Sequence, residues 1–147
     1  MKCVIFDIDG TLADCQHRIH YISGTNKNWN LFYENCSDDI VIKQVSYLID
    51  KFKCDFKIIL LTGRPESNMK LTLDWLDKNN IYFDELVMRK NNDFRKSPEF
   101  KKENIFDLIN EGYDIFCAFE DRQDCVEMYK SIGVFVFSVA NQEYVNV

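Results

Sequence analysis

The chain has 147 residues, 46% of them hydrophobic and 14% aromatic, which is ample for one core and too apolar for a disordered segment. A net charge of −6 argues against a protein that coats nucleic acid and leaves a local basic patch as the route to any phosphate. No apolar run approaches the roughly 18 residues of a membrane span, and no Arg-rich or apolar leader opens the chain, so a cytoplasmic protein without a membrane partner is expected.

The first element is "KCVIFDI", an apolar strand-like run that ends in Asp7 and Asp9 with Ile8 between them. Asp9-Gly10 alone reads as a polar strand exit. Asp7 changes that, because side chains at i and i+2 of an extended segment share a face. The two carboxylates are therefore expected to converge on one point, where a cation or a reacting group offsets the cost of burying them. Residues 13–37 then read as a short flap, too small for a separate cap domain. Within it His17 and His20 are expected to be solvated. Trp29, Phe32 and Tyr33 read as the hydrophobic base of the flap, with stacking on a nucleobase as the alternative.

A helix is predicted over 38–53 from the stripe Val41, Val45, Leu48 and Phe52. The strand "KIILLT" follows and runs into Thr62-Gly63-Arg64. A second helix is predicted over 66–79 from Met69, Leu73 and Leu76, and then the strand "ELVM". Residues 89–102 are basic, with Arg89, Lys90, Arg95, Lys96, Lys101 and Lys102 against Asp93 and Glu99; they read either as a solvated helix end or as a strip for phosphates. A helix over 99–111, the strand "DIFCAFE" ending in Glu120-Asp121, a helix over 122–132 and the strand "VFVFSV" complete the chain.

Strands apolar on both faces, alternating with helices, imply an α/β domain over residues 1–147 with a doubly wound, mostly parallel five-stranded sheet. Ligands of such sheets bind beyond the carboxyl ends of the strands. Those ends carry Asp7 and Asp9, Thr62, Gly63 and Arg64, and Glu120 and Asp121. Several acids at one rim repel one another unless a divalent cation joins them, and all-oxygen donors suit Mg²⁺. Hydroxyl, amide and guanidinium donors across the rim suit phosphate oxygens. Together they specify phosphoryl transfer, in which a carboxylate attacks phosphorus and a neighbouring acid/base handles the proton. No G-x-x-x-x-G-K-[ST] loop is present. The six cysteines show no C-x-x-C or zinc-type spacing, and only Cys15 lies near the aspartates.

"FDIDGTL", "LLTGR" and "FEDRQD", in that order, resemble three motifs of the haloacid dehalogenase superfamily of phosphotransferases. The resemblance implies Asp7 as nucleophile and Asp9 as general acid/base, with its backbone carbonyl on the metal. Asp121 would be the direct Mg²⁺ ligand, Glu120 would hold a metal-bound water, and Thr62 would hold the phosphate. The family's lysine falls among Lys90, Lys96, Lys101 and Lys102, with Lys96 the position matched.

A closer resemblance is to the phosphatase half of the phage polynucleotide kinase/phosphatases, carried by Arg18, by Arg64 in "TGRPES", and by Asp93 with Lys96 in "DFRK". It implies hydrolysis of 3′-phosphates at nucleic-acid ends, with Arg18 and Arg64 gripping phosphate. A kinase half is absent from this sequence, so a separate kinase or ligase would be the partner. A phosphatase of mononucleotides or other small esters, and a non-catalytic binding partner of a kinase, are the alternatives.

Overall fold

A computed structural model describes residues 1–140. In chain order its elements are β1 (Lys2–Phe6), β2 (Ala13–Asp14), a 3₁₀ turn (Gln16–Tyr21), α1 (Trp29–Glu34), a second 3₁₀ turn (Cys36–Asp38), β3 (Ile40–Val41), α2 (Lys43–Phe52), β4 (Lys57–Pro65), a third 3₁₀ turn (Glu66–Asn68), α3 (Met69–Lys78), β5 (Glu85–Arg89), α4 (Ser97–Asn110), β6 (Asp114–Glu120), α5 (Gln123–Ser131) and β7 (Val136–Ser138). The main sheet has the order β5-β4-β1-β6-β7 with every pairing parallel, so β1 is central. This is the α/β architecture expected from the apolar runs.

Alternation along the strands builds a core on each face. Val4, Phe6, Ile58, Leu60, Cys117 and Phe119 point to the side covered by Val45 and Ile49 of α2 and by Trp75 and Leu76 of α3. Cys3, Ile5, Ile59, Leu61 and Ala118 point to the side covered by Phe100, Ile105 and Leu108 of α4 and by Met128 and Tyr129 of α5. Cys3 to Phe6 are wholly inaccessible to solvent. Each such apolar side chain stabilises the fold by about 1.5–3 kcal/mol, so the residue that follows, Asp7, leaves the best-anchored point of the sheet.

Two boundaries differ from expectation. The helix predicted to open at 38 begins at Lys43, because Ile40–Val41 pair antiparallel with Ala13–Asp14 and fasten the start and end of the flap together. The helix predicted over 66–79 opens with the 3₁₀ turn Glu66–Asn68, because β4 continues through Thr62, Gly63 and Arg64 to Pro65. No helix among the described residues is long and apolar enough to cross a membrane.

Candidate active site

Asp7 and Asp9, which the extended-strand rule sends to one face, make their ion pairs with different partners. Phe6 ends β1, and a tight turn follows in which the amides of Thr11, Leu12 and Ala13 all donate to the Ile8 carbonyl. Alternation continues past the strand, with Ile8 buried on the face of Val4 and Phe6, so Asp7 points to the α4–α5 side, where Oδ1 accepts from Lys101 Nζ at 2.8 Å. The same ammonium donates to Glu120 Oε2 at 2.7 Å. Carboxylate oxygens of Asp7, Glu120 and Asp121 lie within 4.8 Å of one another. Thr11, which sequence reasoning assigned no role, has its hydroxyl 3.3 Å from Asp7 Oδ2 and 3.3 Å from Asp121 Oδ1. Glu120 Oε1 accepts from the amides of Asp121 and Arg122, which fixes the turn that carries Asp121.

Gly10 makes this cluster possible. Its φ is +84°, and a Cβ built there would stand 2.1 Å from Asp121 Oδ2. Any side chain at residue 10 would push Asp121 out of place in addition to straining the turn.

Asp9 lies in different company. Oδ1 accepts from Arg18 Nη2 at 2.5 Å and from Arg64 Nη2 at 2.7 Å. Both guanidinium groups are fully buried. Behind them sits Asp39, also buried, which accepts from Arg18 Nε at 2.8 Å and Nη2 at 2.5 Å, and from Arg64 Nη2 at 3.4 Å. His17, expected to be solvated, pairs with Asp39 Oδ1 at 2.7 Å. Phe32 lies beneath the Arg18 guanidinium, its centroid 4.2 Å from Cζ.

The two halves of the site therefore differ in charge. Burial raises the Asp7 carboxyl well above its ordinary range, and Glu120 adds to the rise against the opposing pull of Lys101. Lys101 itself moves upward: burial disfavours its charge, but Asp7 and Glu120 outweigh that, so it stays an ammonium. Burial also acts to raise Asp9, yet Arg64 and Arg18 overcome it and hold that carboxyl at about 2. Cys15 is held as an inert thiol, pushed up to about 12 by burial and by Asp9.

The lysine beside Asp7 is Lys101. Lys96, matched above to the family's lysine, instead precedes the first turn of α4, exposed on the wall of a groove. Helical phase explains the correction: Lys101, Ile105 and Leu108 follow the i, i+4, i+7 stripe, and all three are buried against the sheet. Arg18 and Arg64, expected to grip phosphate, are occupied by Asp9 and Asp39. The arginines of the basic strip are similarly engaged. Arg89 donates to the carbonyls of Gly63 and Arg95. Asp93 pairs with Arg95, 2.7 Å away, and Arg95 also with Glu103. Lys90, Lys96 and Lys102 stay outside the ion pairs of the described residues. Thr62 is buried, with its hydroxyl accepting from the Arg64 amide at 3.1 Å. The β1–β4 register, Phe6 opposite Leu60, brings it to the same strand end as Asp7.

A parallel sheet whose central strand delivers an aspartate to a lysine and two further acids defines a phosphatase of the haloacid dehalogenase superfamily. The fold agrees: a haloacid dehalogenase-type hydrolase of family IA from Entamoeba histolytica superposes with a TM-score of 0.69 over 99% of this chain and 87% of its own, at 16% identity. A family model described as "Polynucleotide kinase PNKP phosphatase domain" matches residues 1–144. The chain belongs to that family. Two chains from structures of a Pnkp1/Rnl/Hen1 complex, one of them described as an RNA repair complex, are 29% and 30% identical to it, with TM-scores of 0.81 and 0.82. Each match covers 95% of this chain but 45% and 42% of those longer chains, so this chain spans less than half their length.

Proposed function

We propose that this phosphatase removes phosphate from the 3′ ends of nucleic acids, with Asp7 as nucleophile and Mg²⁺ at the carboxylate cluster. The observation that carries the reading is the charge of that cluster. Three carboxylates and one ammonium sum formally to an excess of two negative charges, which a divalent cation cancels. The donor set is all oxygen, as Mg²⁺ prefers. Asp7, Asp121 and the Asp9 carbonyl would hold the ion directly and Glu120 through a water. When bound, Mg²⁺ would neutralise charge on the phosphoryl oxygens and let a dianionic ester approach the acids.

An Asp7 oxygen forms a bond to phosphorus while the bond to the ester oxygen breaks, and the departing oxygen takes a proton relayed from solvent through Asp9, whose carboxylate rests ionised. Water then attacks the aspartyl-phosphate, its proton passes to Asp9, and Asp7 is freed with inorganic phosphate. Arg18 and Arg64 hold Asp9 ionised, which suits the second step. Asp39 fixes the arginines in turn. Thr62, the Gly63 amide and Lys101 would hold phosphoryl oxygens, and Lys96 would meet the strand in the groove whose loop Asp93 anchors.

Membership of the family and likeness to chains of an RNA repair complex support the 3′-end substrate. A kinase or ligase acting on the same ends is the partner class such a reaction implies, and free thiols at all six cysteines suit a cytoplasmic setting. The test is phosphate release with Mg²⁺ from a 3′-phosphorylated oligonucleotide and from 3′-, 5′- and 2′-mononucleotides. The oligonucleotide should have the highest kcat/KM, and that preference should fall with salt through counterion release, less steeply in a Lys90→Ala/Lys96→Ala double variant. Equal kcat/KM and equal salt slopes for oligonucleotide and mononucleotide would leave a small-ester phosphatase.

A further inference from the structure

A groove of about 630 Å³ runs outward from Gly63 and Arg122, the residues that follow Thr62 and Asp121. That volume suits a ligand of about nucleotide size. Phe94 stands in its wall with 91% of its surface exposed, the highest value among the exposed large hydrophobic side chains of the described residues. The loop that carries Phe94 is pinned on both sides. The Asp93 amide donates to the Lys90 carbonyl at 3.0 Å, the Asp93 carboxylate accepts from the Arg95 amide and guanidinium, and Arg89 donates to the Arg95 carbonyl. The backbone that carries Phe94 is therefore fixed, and its ring projects into solvent. The groove also includes Trp29, 42% exposed, whose indole lies over Tyr33 at a centroid distance of 5.9 Å. Tyr33 Oη donates in turn to the Gly63 carbonyl at 3.3 Å, so an aromatic surface continues from the strand end to Trp29.

We propose that this groove is a stacking site for the nucleobase at the 3′ end of a strand, with Phe94 and Trp29 as its flat surfaces; the inference rests on the 3′-phosphatase reading and specifies how that site takes its substrate. Its charge favours nucleic acid. Five basic side chains line it against two acids; with Asp93 paired to Arg95 and Asp124 to Arg122, the positive charge of Arg89, Lys90 and Lys96 is left over, on a chain whose net charge is −6. Flat rings interleaved with cations, ending at a phosphate-cleaving centre, match a base joined to its phosphodiester. A protein partner would be expected to meet a contiguous apolar patch. Stacking uses the face common to all bases, so the site tolerates any sequence.

The test compares two 3′-phosphorylated oligonucleotides that differ only in whether the terminal nucleotide carries a base or is abasic. Wild type should favour the base-bearing one by roughly 5- to 150-fold in kcat/KM, and Phe94→Ala should bring the ratio toward one while Phe94→Tyr keeps it. Phe94 makes no core contact that its loss would empty, so folding is preserved. A wild-type ratio of one, or a ratio that Phe94→Ala leaves unmoved, overturns the inference while phosphatase activity stands. If no oligonucleotide is hydrolysed, the function proposed above has failed, and binding decides the inference by itself. Trp75 is buried, so quenching of exposed Trp29 fluorescence in Asp7→Asn by the base-bearing strand, lost on adding Phe94→Ala, supports it, and absence of quenching overturns it.

Discussion

Asp7 and Asp9 leave the central strand two residues apart, yet Asp7 shares one lysine with Glu120 beside Asp121, while Asp9 sits between two buried arginines backed by Asp39. On the Asp9 side two acids face two guanidinium groups, and the cluster closes on itself. On the Asp7 side acids outnumber the base, and the cluster keeps a formal excess of negative charge. Identical side chains thus meet different surroundings: two guanidinium groups hold Asp9 low, whereas burial and Glu120 raise Asp7, the difference that the proposed roles of acid/base and nucleophile would use.

Replacing Asp7 breaks the comparison most severely. Asp7→Asn keeps the shape and the Lys101 contact but removes the nucleophile, so phosphate release should fall on the order of 10⁴-fold or more, with the melting curve showing a folded protein. Near-wild-type turnover of any substrate by this variant would rule out the aspartyl-phosphate route.

The balanced side fails through stability. Asp39→Ala leaves Arg18 and Arg64 buried with Asp9 as their remaining carboxylate, and removing one partner of a buried ion pair costs about 3–5 kcal/mol. At this chain length the loss corresponds to a fall in Tm of roughly 6–20 °C. Lys70→Ala, which breaks an exposed helical pair with Asp74, is the control and should leave Tm almost unchanged. Similar melting of both variants would mean that the arginine cluster does not support the fold.

Why Asp39 escaped sequence reasoning while Asp7 did not is a matter of where each signal lies. A strand buried on both faces is a continuous apolar run, so β1, β4 and β6 and the polar residues at their ends stand out, and with them Asp7, Thr62, Glu120 and Asp121. Asp39 sits in "CSDDIVI", with no periodicity to mark it. Its partners Arg18 and Arg64 are 21 and 25 residues away and meet it only once the flap folds back. Those arginines were legible as positions but not in what they face, since a motif match says nothing of a carboxylate supplied from elsewhere. Lys101 was recoverable: extending the stripe Ile105–Leu108 back one turn lands on it, whereas Lys96 lies before the helix starts.

The proposed cation sharpens the contrast at intermediate strength. EDTA should silence the enzyme and Mg²⁺ restore it. Asp121→Ala, within the cluster, should raise the Mg²⁺ concentration for half-maximal activity by at least roughly 10–100-fold, the range typical even of residues that merely support a metal ligand. Asp124→Ala removes an exposed carboxylate paired with Arg122 and should shift it little. Equal shifts at the two positions would mean that the metal does not sit at the cluster.

The smallest effect compares the two sides by the sign of their pH dependence in EDTA. The Asp9 carboxyl, held at about 2 against an ordinary 3.8, binds its proton less readily in the folded than in the unfolded chain. Its contribution to stability is therefore complete above about pH 4 and is lost as pH falls toward 2. Asp7 runs the other way: its raised carboxyl makes the folded state the better proton binder, so its contribution declines as pH climbs through and above the ordinary carboxylate range. Thermal melts of the two Asp→Asn variants from pH 7 down to pH 3 follow the difference. At pH 7 Asp9→Asn should melt below wild type and Asp7→Asn above it, and both gaps should narrow on acidification. Adding Mg²⁺ at pH 7 should reverse the Asp7 gap alone, because wild type then gains a ligand that Asp7→Asn holds poorly. Gaps of the same sign in EDTA would show that the two carboxylates share one electrostatic environment, and the division of labour between them would not stand.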